Sequence, residues 1–361
     1  MLSLVFQSFL LCFLLCSHTH ANQPIIFQLT ADVYSEPIPI DAFTDDWVYP
    51  YLKQGEAAFA QGKMELIQAH QKQTYRIFWQ YDYWLKFTPD AAKLYYQYAN
   101  DDIPEQKKYY DLWIRAVHLD MVGFRWDNQY LLRPNWSMTY GVSLLKAAHT
   151  IDGRFSGGAL GQSANNFKDY AQRIHASLDY WYDQPALHEE ELAWLPDVTD
   201  GLGFSTYVSI SGQLSDQLKV QVQVDDIYGE IHWKDLARTQ YHLNYDVDGR
   251  PLYQITGQLS QSRKIQRIPT SGLWKFEYQP WLTHPLQATV GCQHNLSANL
   301  CQLGVSYPWA GYRIGALLEP TSSAVGVSID GGWFELKYLA DHLNTNQAHR
   351  MGMSLVAHYL W

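Results

Sequence analysis

YRIFWQYDYWLKF, residues 75–87, is the stretch on which the fold turns. Its odd positions are Tyr75, Ile77, Trp79, Tyr81, Tyr83, Leu85 and Phe87, and its even positions include Arg76, Gln80, Asp82 and Lys86. A period of two puts the first set on one face of an extended chain and the second on the other. The run is as long as a tilted strand that crosses a bilayer, which needs roughly 9–11 residues. One side is fit to meet apolar surroundings and the other to meet water or polar neighbours.

The same two-faced pattern recurs. Trp136, Met138, Tyr140, Val142 and Leu144 alternate with Asn135, Ser137, Thr139 and Ser143, and Ile174, Ala176, Leu178, Tyr180 and Tyr182 with Arg173, His175, Ser177 and Asp179. Further toward the C-terminus the segments follow almost without pause, among them Leu218 to Val224, Trp274 to Tyr278, Leu303 to Tyr307 and Val325 to Ile329. Turn residues such as Asp248-Gly249, Asn295 to Ser297 and Asp330-Gly331-Gly332 punctuate them. Soluble sandwiches alternate too, but here the polar face is rich in amides, hydroxyls and small residues, and Trp and Tyr gather at strand ends as an interfacial girdle requires. The expected fold is all-β, a transmembrane antiparallel up-and-down barrel of about 14 strands, within roughly 12–16.

The two ends of the sequence agree with export. Residues 1–21, MLSLVFQSFLLCFLLCSHTHA, read as a signal peptide cleaved after Ala21, although no Lys or Arg precedes the apolar core. At the other end Met353, Leu355, Ala357, Tyr359 and Trp361 alternate up to the last residue. This ending resembles the C-terminal signal by which outer-membrane barrels of Gram-negative bacteria are recognised for insertion. It implies an outer-membrane location, with outer-membrane lipids and the barrel insertion machinery as partners.

With Trp361 at the periplasmic end, connections alternate sides going backwards. Residues 342–350, 319–322, 260–272 and 183–202 fall outside, and residues 330–332, 308–310 and the Gly/Asn-rich 147–167 fall on the periplasmic side. Residues 22–72 alternate poorly and are expected to form an N-terminal segment lying partly in the lumen, with the barrel occupying 73–361. Residues 90–101 suit a helix.

Composition narrows the function. The 361-residue chain has a formal net charge of -10, only 17% charged residues and 15% aromatic ones. No Lys/Arg stripe is available for phosphates, which argues against nucleic acid as a partner. The mature cysteines, Cys292 and Cys301, flank the turn near Leu296-Ser297 at equal distances, so a cross-hairpin disulfide is expected in an oxidising compartment. No Cys/His spacing of a zinc site occurs, and no cofactor is implied.

One catalytic arrangement has to be weighed. His175-Ala176-Ser177 resembles the H-x-S arrangement of outer-membrane phospholipases and lipid A deacylases, with Glu189 as a third member orienting the His. Strand parity turns His175 and Ser177 toward the lumen, away from lipid. A further likeness lies in residues 224–233, VDDIYGEIHW. This segment resembles a strand-end pattern, Asp-x-x-Gly-x-I-x-W, of barrels related to the FadL-like fatty-acid channel superfamily and to TraF-like barrels. It implies a barrel of about 14 strands with an N-terminal segment in the lumen.

The reading carried forward is non-enzymatic: a passive channel for a small-molecule or lipid-like ligand, or a surface structural role. The alternatives are a lipid hydrolase using His175 and Ser177, or an accessory barrel for export or assembly of a surface component.

Overall fold

The computed structural model describes residues 25–359 apart from 103–104, 106–107, 162–173, 186, 188, 195, 197–198, 245–253 and 281–284. Residues 1–21, which the sequence reads as a signal peptide, and Trp361 therefore lie outside the described residues, as does part of the 147–167 stretch. The strands are β1 (Ile25–Ser35), β2 (Ala57–His70), β3 (Gln73–Phe87), β4 (Tyr109–Arg133), β5 (Trp136–Leu160), β6 (Ile174–Tyr182), β7 (Gly201–Ser215), β8 (Leu218–Asp225) and β9 (Gly229–Asn244). They continue as β10 (Gln254–Arg267), β11 (Ser271–Tyr278), β12 (Gln287–His294), β13 (Asn299–Trp309), β14 (Tyr312–Glu319), β15 (Ala324–Asp330), β16 (Phe334–Ala340) and β17 (Arg350–Tyr359). Two helices join them, α1 (Ile40–Thr44) and α2 (Pro89–Ala99). No helix among the described residues is long and apolar enough to cross a membrane.

All strands belong to one antiparallel 17-stranded sheet, and it closes where β17 pairs with β1 from Ile25↔Tyr359 to Tyr34↔Arg350. Closure leaves no edge at the seam, which is what a wall in lipid requires. The 17 segments exceed the expected 14, because two long strands are interrupted. β8 resumes as β9 after residues 226–228, and β10 resumes as β11 after residues 268–270, with β9 against β10 and β8 against β11. β6 is a further insertion: β5 pairs with β7 over residues 136–147 and with β6 over residues 151–159. One side of the barrel, built from β4, β5, β6, β9 and β10, is consequently taller than the β12–β16 side.

The alternation sorts as the sequence implies. Phe276, Val290, Leu303, Leu318 and Val325 are register partners across five strands and all are exposed, a continuous apolar row around the outside. On β3 the even positions Phe78, Asp82 and Trp84 are buried within the barrel.

Several sequence expectations are corrected. The stretch 22–72 supplies two wall strands, β1 and β2, in place of a lumen segment. Residues 147–160 are the upper part of β5, not a periplasmic connection, and residues 260–272 are mostly strand, not an outer loop. The reason is that alternation fades where both faces of a strand are covered. Ala58 packs outward on the cluster formed with α1 and α2, and the adjacent Phe59 packs inward against Tyr34 and Trp84.

The helical expectation for 90–101 is met by α2. Thr88 caps it by accepting from the Ala91 N–H at 3.3 Å, and Pro89 opens the first turn.

The two ends of the barrel differ. Residues 71–72, 134–135, 216–217, 310–311 and 331–333 make short turns at one end. Residues 36–56, 341–349 and the segment that carries α2 make longer connections at the other, the asymmetry of an outer-membrane barrel with loops facing outward.

Candidate functional site: a polar lumen under an apolar layer

The inner face is layered, and each layer follows from alternation. Reading β2, β3 and β1 from the loop end inward, Phe59, Trp84 and Tyr34 come first, then Gln61, Asp82 and Asp32 two residues further along each strand. Below them lie Lys63, Gln80 and Thr30. These second and third layers line a cavity of about 310 Å³, which Asp225, Asp226, Gln293 and Arg350 also border.

The charges here are paired with one another, as charges withdrawn from water into a low-dielectric wall must be. Arg350 Nε is 2.7 Å from Glu319 Oε1, and its Nη1 reaches Asp32. Glu319 is held further by Gln302 Nε2 at 2.9 Å and by the Ser322 hydroxyl at 2.6 Å. Deeper, Lys63 lies 3.0 Å from Glu65, Arg76 Nε 2.7 Å from Asp127, and Arg125 3.3 Å from Asp225.

Asp82 and Asp226 are different, since their hydrogen bonds come from neutral groups. Gln61 Nε2 donates to Asp82 at 3.0 Å and Gln80 Nε2 at 2.5 Å, and the Ser205 hydroxyl donates to Asp226. A second cavity, about 380 Å³, opens at the turn end beside Gln129, Ser137, Ser211, Gln221, Lys275 and Glu277. Polar groups thus line both cavities, and sequence reading missed the layer as a site because its members come from strands far apart in the chain.

Above the cavity the chain does something unusual for a connection. The turn between β12 and β13, residues 295–298, folds inward, and Asn295, Ser297 and the following Leu300 are buried. Leu296, Ala298 and Leu300 pack against Tyr34, Phe59, Trp84 and Val117. Turns normally lie on the surface because a buried one strands its backbone polar groups. Here Asn295 supplies the partners: its Oδ1 accepts from the Ser297 and Ala298 N–H groups at 2.9 and 2.8 Å, and its own N–H donates to the Ala298 carbonyl at 3.0 Å. Its Nδ2 donates to Gln61 Oε1 at 3.0 Å, tying the turn to β2.

At the loop end His349 anchors residues 341–349: its Nδ1 is 2.9 Å from the Ser35 carbonyl, so that nitrogen carries the proton. Burial holds the His349 imidazole below its ordinary pKa.

The candidate residues named from sequence separate. His175 and Ser177 lie on the inner face of β6, as parity requires, and Ser177 Oγ is 2.9 Å from Nδ1 of His242 on β9. Glu189 sits on the opposite face of β6, in the Glu189–Leu192 turn, and accepts from the Tyr180 hydroxyl and from the Leu187 N–H at 2.9 Å. The sheet itself stands between Glu189 and Ser177. Cys292 and Cys301 are register partners joined by a disulfide at the base of the inward turn. Met353, Leu355, Ala357 and Tyr359 lie on β17, paired to β1.

No protein-family model matches the chain, nor does any curated protein sequence. Among solved structures it is similar to a Pseudomonas aeruginosa FadL homologue at 11% identity and a TM-score of 0.42, over 94% of this chain and 90% of the other. It is similar to the Pseudomonas putida toluene transporter TodX at 10% identity and a TM-score of 0.39, covering 92% and 88%. The translocator domain of the Neisseria meningitidis autotransporter NalP shares 8% identity at a TM-score of 0.33, covering 99% and 96%. Likeness at this level fixes neither ligand nor mechanism. The chain's own geometry, a closed antiparallel sheet with an apolar outer band and a polar interior, is that of an outer-membrane barrel.

Proposed function

We propose that this barrel serves the passive passage of small hydrophilic solutes across the outer membrane, with no catalytic step. The observation that carries the reading is the lining of the 310 Å³ cavity by Asp32, Gln61, Asp82, Asp226, Gln293 and Arg350. Such side chains can replace the hydration of a polar solute. The lining therefore favours a hydrophilic solute over a lipid-like ligand. The hydrolase alternative draws support only from the Ser177–His242 hydrogen bond. That pair opens toward the lumen, where lipid does not approach, and Glu189 is on the wrong face to orient it.

The test is solute entry into proteoliposomes. Vesicles carrying the folded barrel should swell in small uncharged sugars at rates that fall with solute size. Vesicles as tight as protein-free controls, at equal amounts of folded barrel, would remove the transport reading.

A further inference from the structure

We infer that the inward turn at residues 295–298 is the gate of this lumen, closing the polar cavity from the loop end by completing an apolar layer across it. The inference rests on the transport reading above.

Three observations carry it. The first is position. Tyr34, Phe59, Trp84 and Val117 form an apolar shelf on the β1–β4 wall one layer above Asp32, Gln61 and Asp82, and Leu296 and Leu300 meet that shelf from the β12–β13 wall opposite. Any ion or sugar entering from the loop end meets this layer before the cavity. Arg350, the register partner of Tyr34, borders this layer with its charge paired to Glu319 and Asp32. A constriction otherwise dominated by apolar side chains and aromatic faces resists water and ions by dewetting, with no need for complete steric occlusion.

The second is the attachment. Among the described residues, the turn reaches the far wall through one side-chain hydrogen bond, Asn295 Nδ2 to Gln61 Oε1 at 3.0 Å, while Gln293, just beneath it on β12, donates to the same oxygen at 3.4 Å and also bonds Asp32. A permanent plug would be expected to carry many such ties; one acceptor makes a latch. The Cys292–Cys301 disulfide fixes the hairpin just beneath, so the part free to move is the short segment between the two cysteines.

The third is incomplete satisfaction of the closed state. Among the described residues, the Trp84 Nε1–H and the Ser297 hydroxyl are both buried in this layer without a hydrogen-bond partner. Each carries a desolvation cost that water would relieve if the turn swung outward. That cost offsets part of the apolar burial and brings the two positions of the turn closer in free energy, which is the condition for a bistable element.

The experiment is single-channel recording of the full mature barrel in planar bilayers, with heat-modifiable migration on gels as the check of folding. Removing the Leu296 contact should release the turn. Burial of even part of a leucine side chain favours the closed position by a factor of about ten, so Leu296→Ser is expected to raise open probability about tenfold. A complementary variant locks it: Gln61→Cys with Asn295→Cys in a Cys292→Ser, Cys301→Ser background, bridged by a short reducible bis-thiol reagent. Bridging should lower conductance and a reductant should restore it. If the wild type conducts and neither release nor locking alters the current, the gate inference is wrong and transport stands. If no folded variant conducts, released or not, the transport reading fails.

Discussion

Arg350 shows how a single side chain can organise an interior. It is almost fully buried at the start of β17, and its guanidinium engages Glu319 on β14 and Asp32 on β1, bridging the seam where the sheet closes. Three charges removed from water together are tolerated because each satisfies the others; a bidentate fork suits this better than a lysine ammonium would. Arg350→Met keeps much of the volume but strands the buried Glu319 and the partly buried Asp32, and the expected loss is about 3–5 kcal/mol. The midpoint of urea unfolding in detergent should drop accordingly, and adding Glu319→Gln with Asp32→Asn to the same chain should recover much of it. An unchanged midpoint for Arg350→Met alone would show that the network contributes little. Nothing in the sequence around His349-Arg350-Met351 announces this role, because the partners are separated by 31 and 318 positions. What was legible at this scale was the strand: β6 covers the alternating stretch from Ile174 to Tyr182 that carries His175 and Ser177. The sequence suggested Glu189 as their partner from proximity along the chain, whereas the pleat sends it, with Tyr180, to the other face.

At the scale of elements, the strands that were easy to read are those with lipid on one side and a polar lumen on the other. Trp274, Phe276 and Tyr278 alternate with Lys275 and Glu277, and β11 runs where expected. Strands failed to read where that contrast was lost. In β2 the run Ala57, Ala58, Phe59 is buried on both faces, by the α1 and α2 cluster outside and by the apolar layer inside. In β5 the glycines of GRFSGGAL look like a loop, but they let β6 approach: a Cβ added at Gly153 would lie 2.7 Å from the Cβ of Tyr180. The β12–β13 hairpin was the opposite case, since equal spacing about the turn at residues 295–298 placed Cys292 against Cys301. With the two cysteines at a sequence separation of 9, the link removes unfolded-state freedom equivalent to about 2–3 kcal/mol. Cys292→Ser with Cys301→Ser should therefore unfold at lower urea than the oxidised wild type, and reductant should shift the wild type but not the variant. Equal midpoints for all three samples would show that the paired hairpin alone holds this region.

For the whole molecule the decisive event is closure, and it depends on the last strand. β17 pairs with β16 on one edge and with β1 on the other, over ten register positions from Ile25↔Tyr359 to Tyr34↔Arg350. Both neighbours need it, so a chain without a sound β17 exposes two rows of unpaired N–H and C=O groups that lipid cannot satisfy. The alternation of Met353, Leu355, Ala357 and Tyr359, ending in Trp361, made this strand legible from sequence, while the identity of its second partner was not, because residues 25–35 carried so weak a pattern. Deleting Trp361, or changing both Tyr359 and Trp361 to Ser, is expected to leave export across the inner membrane intact and to block assembly. Lost interfacial burial amounts to about 1.5–3 kcal/mol for each aromatic side chain, which is modest beside the strength of a closed ladder. The larger effect is expected on recognition by the insertion machinery, so the defect should be one of rate and should show as unassembled chain accumulating in the periplasm. The wild type should migrate differently on gels before and after heating, and the variants should lose that difference. Variants that reach the outer membrane at wild-type levels with heat-modifiable migration would show that the terminal aromatics are dispensable for closure.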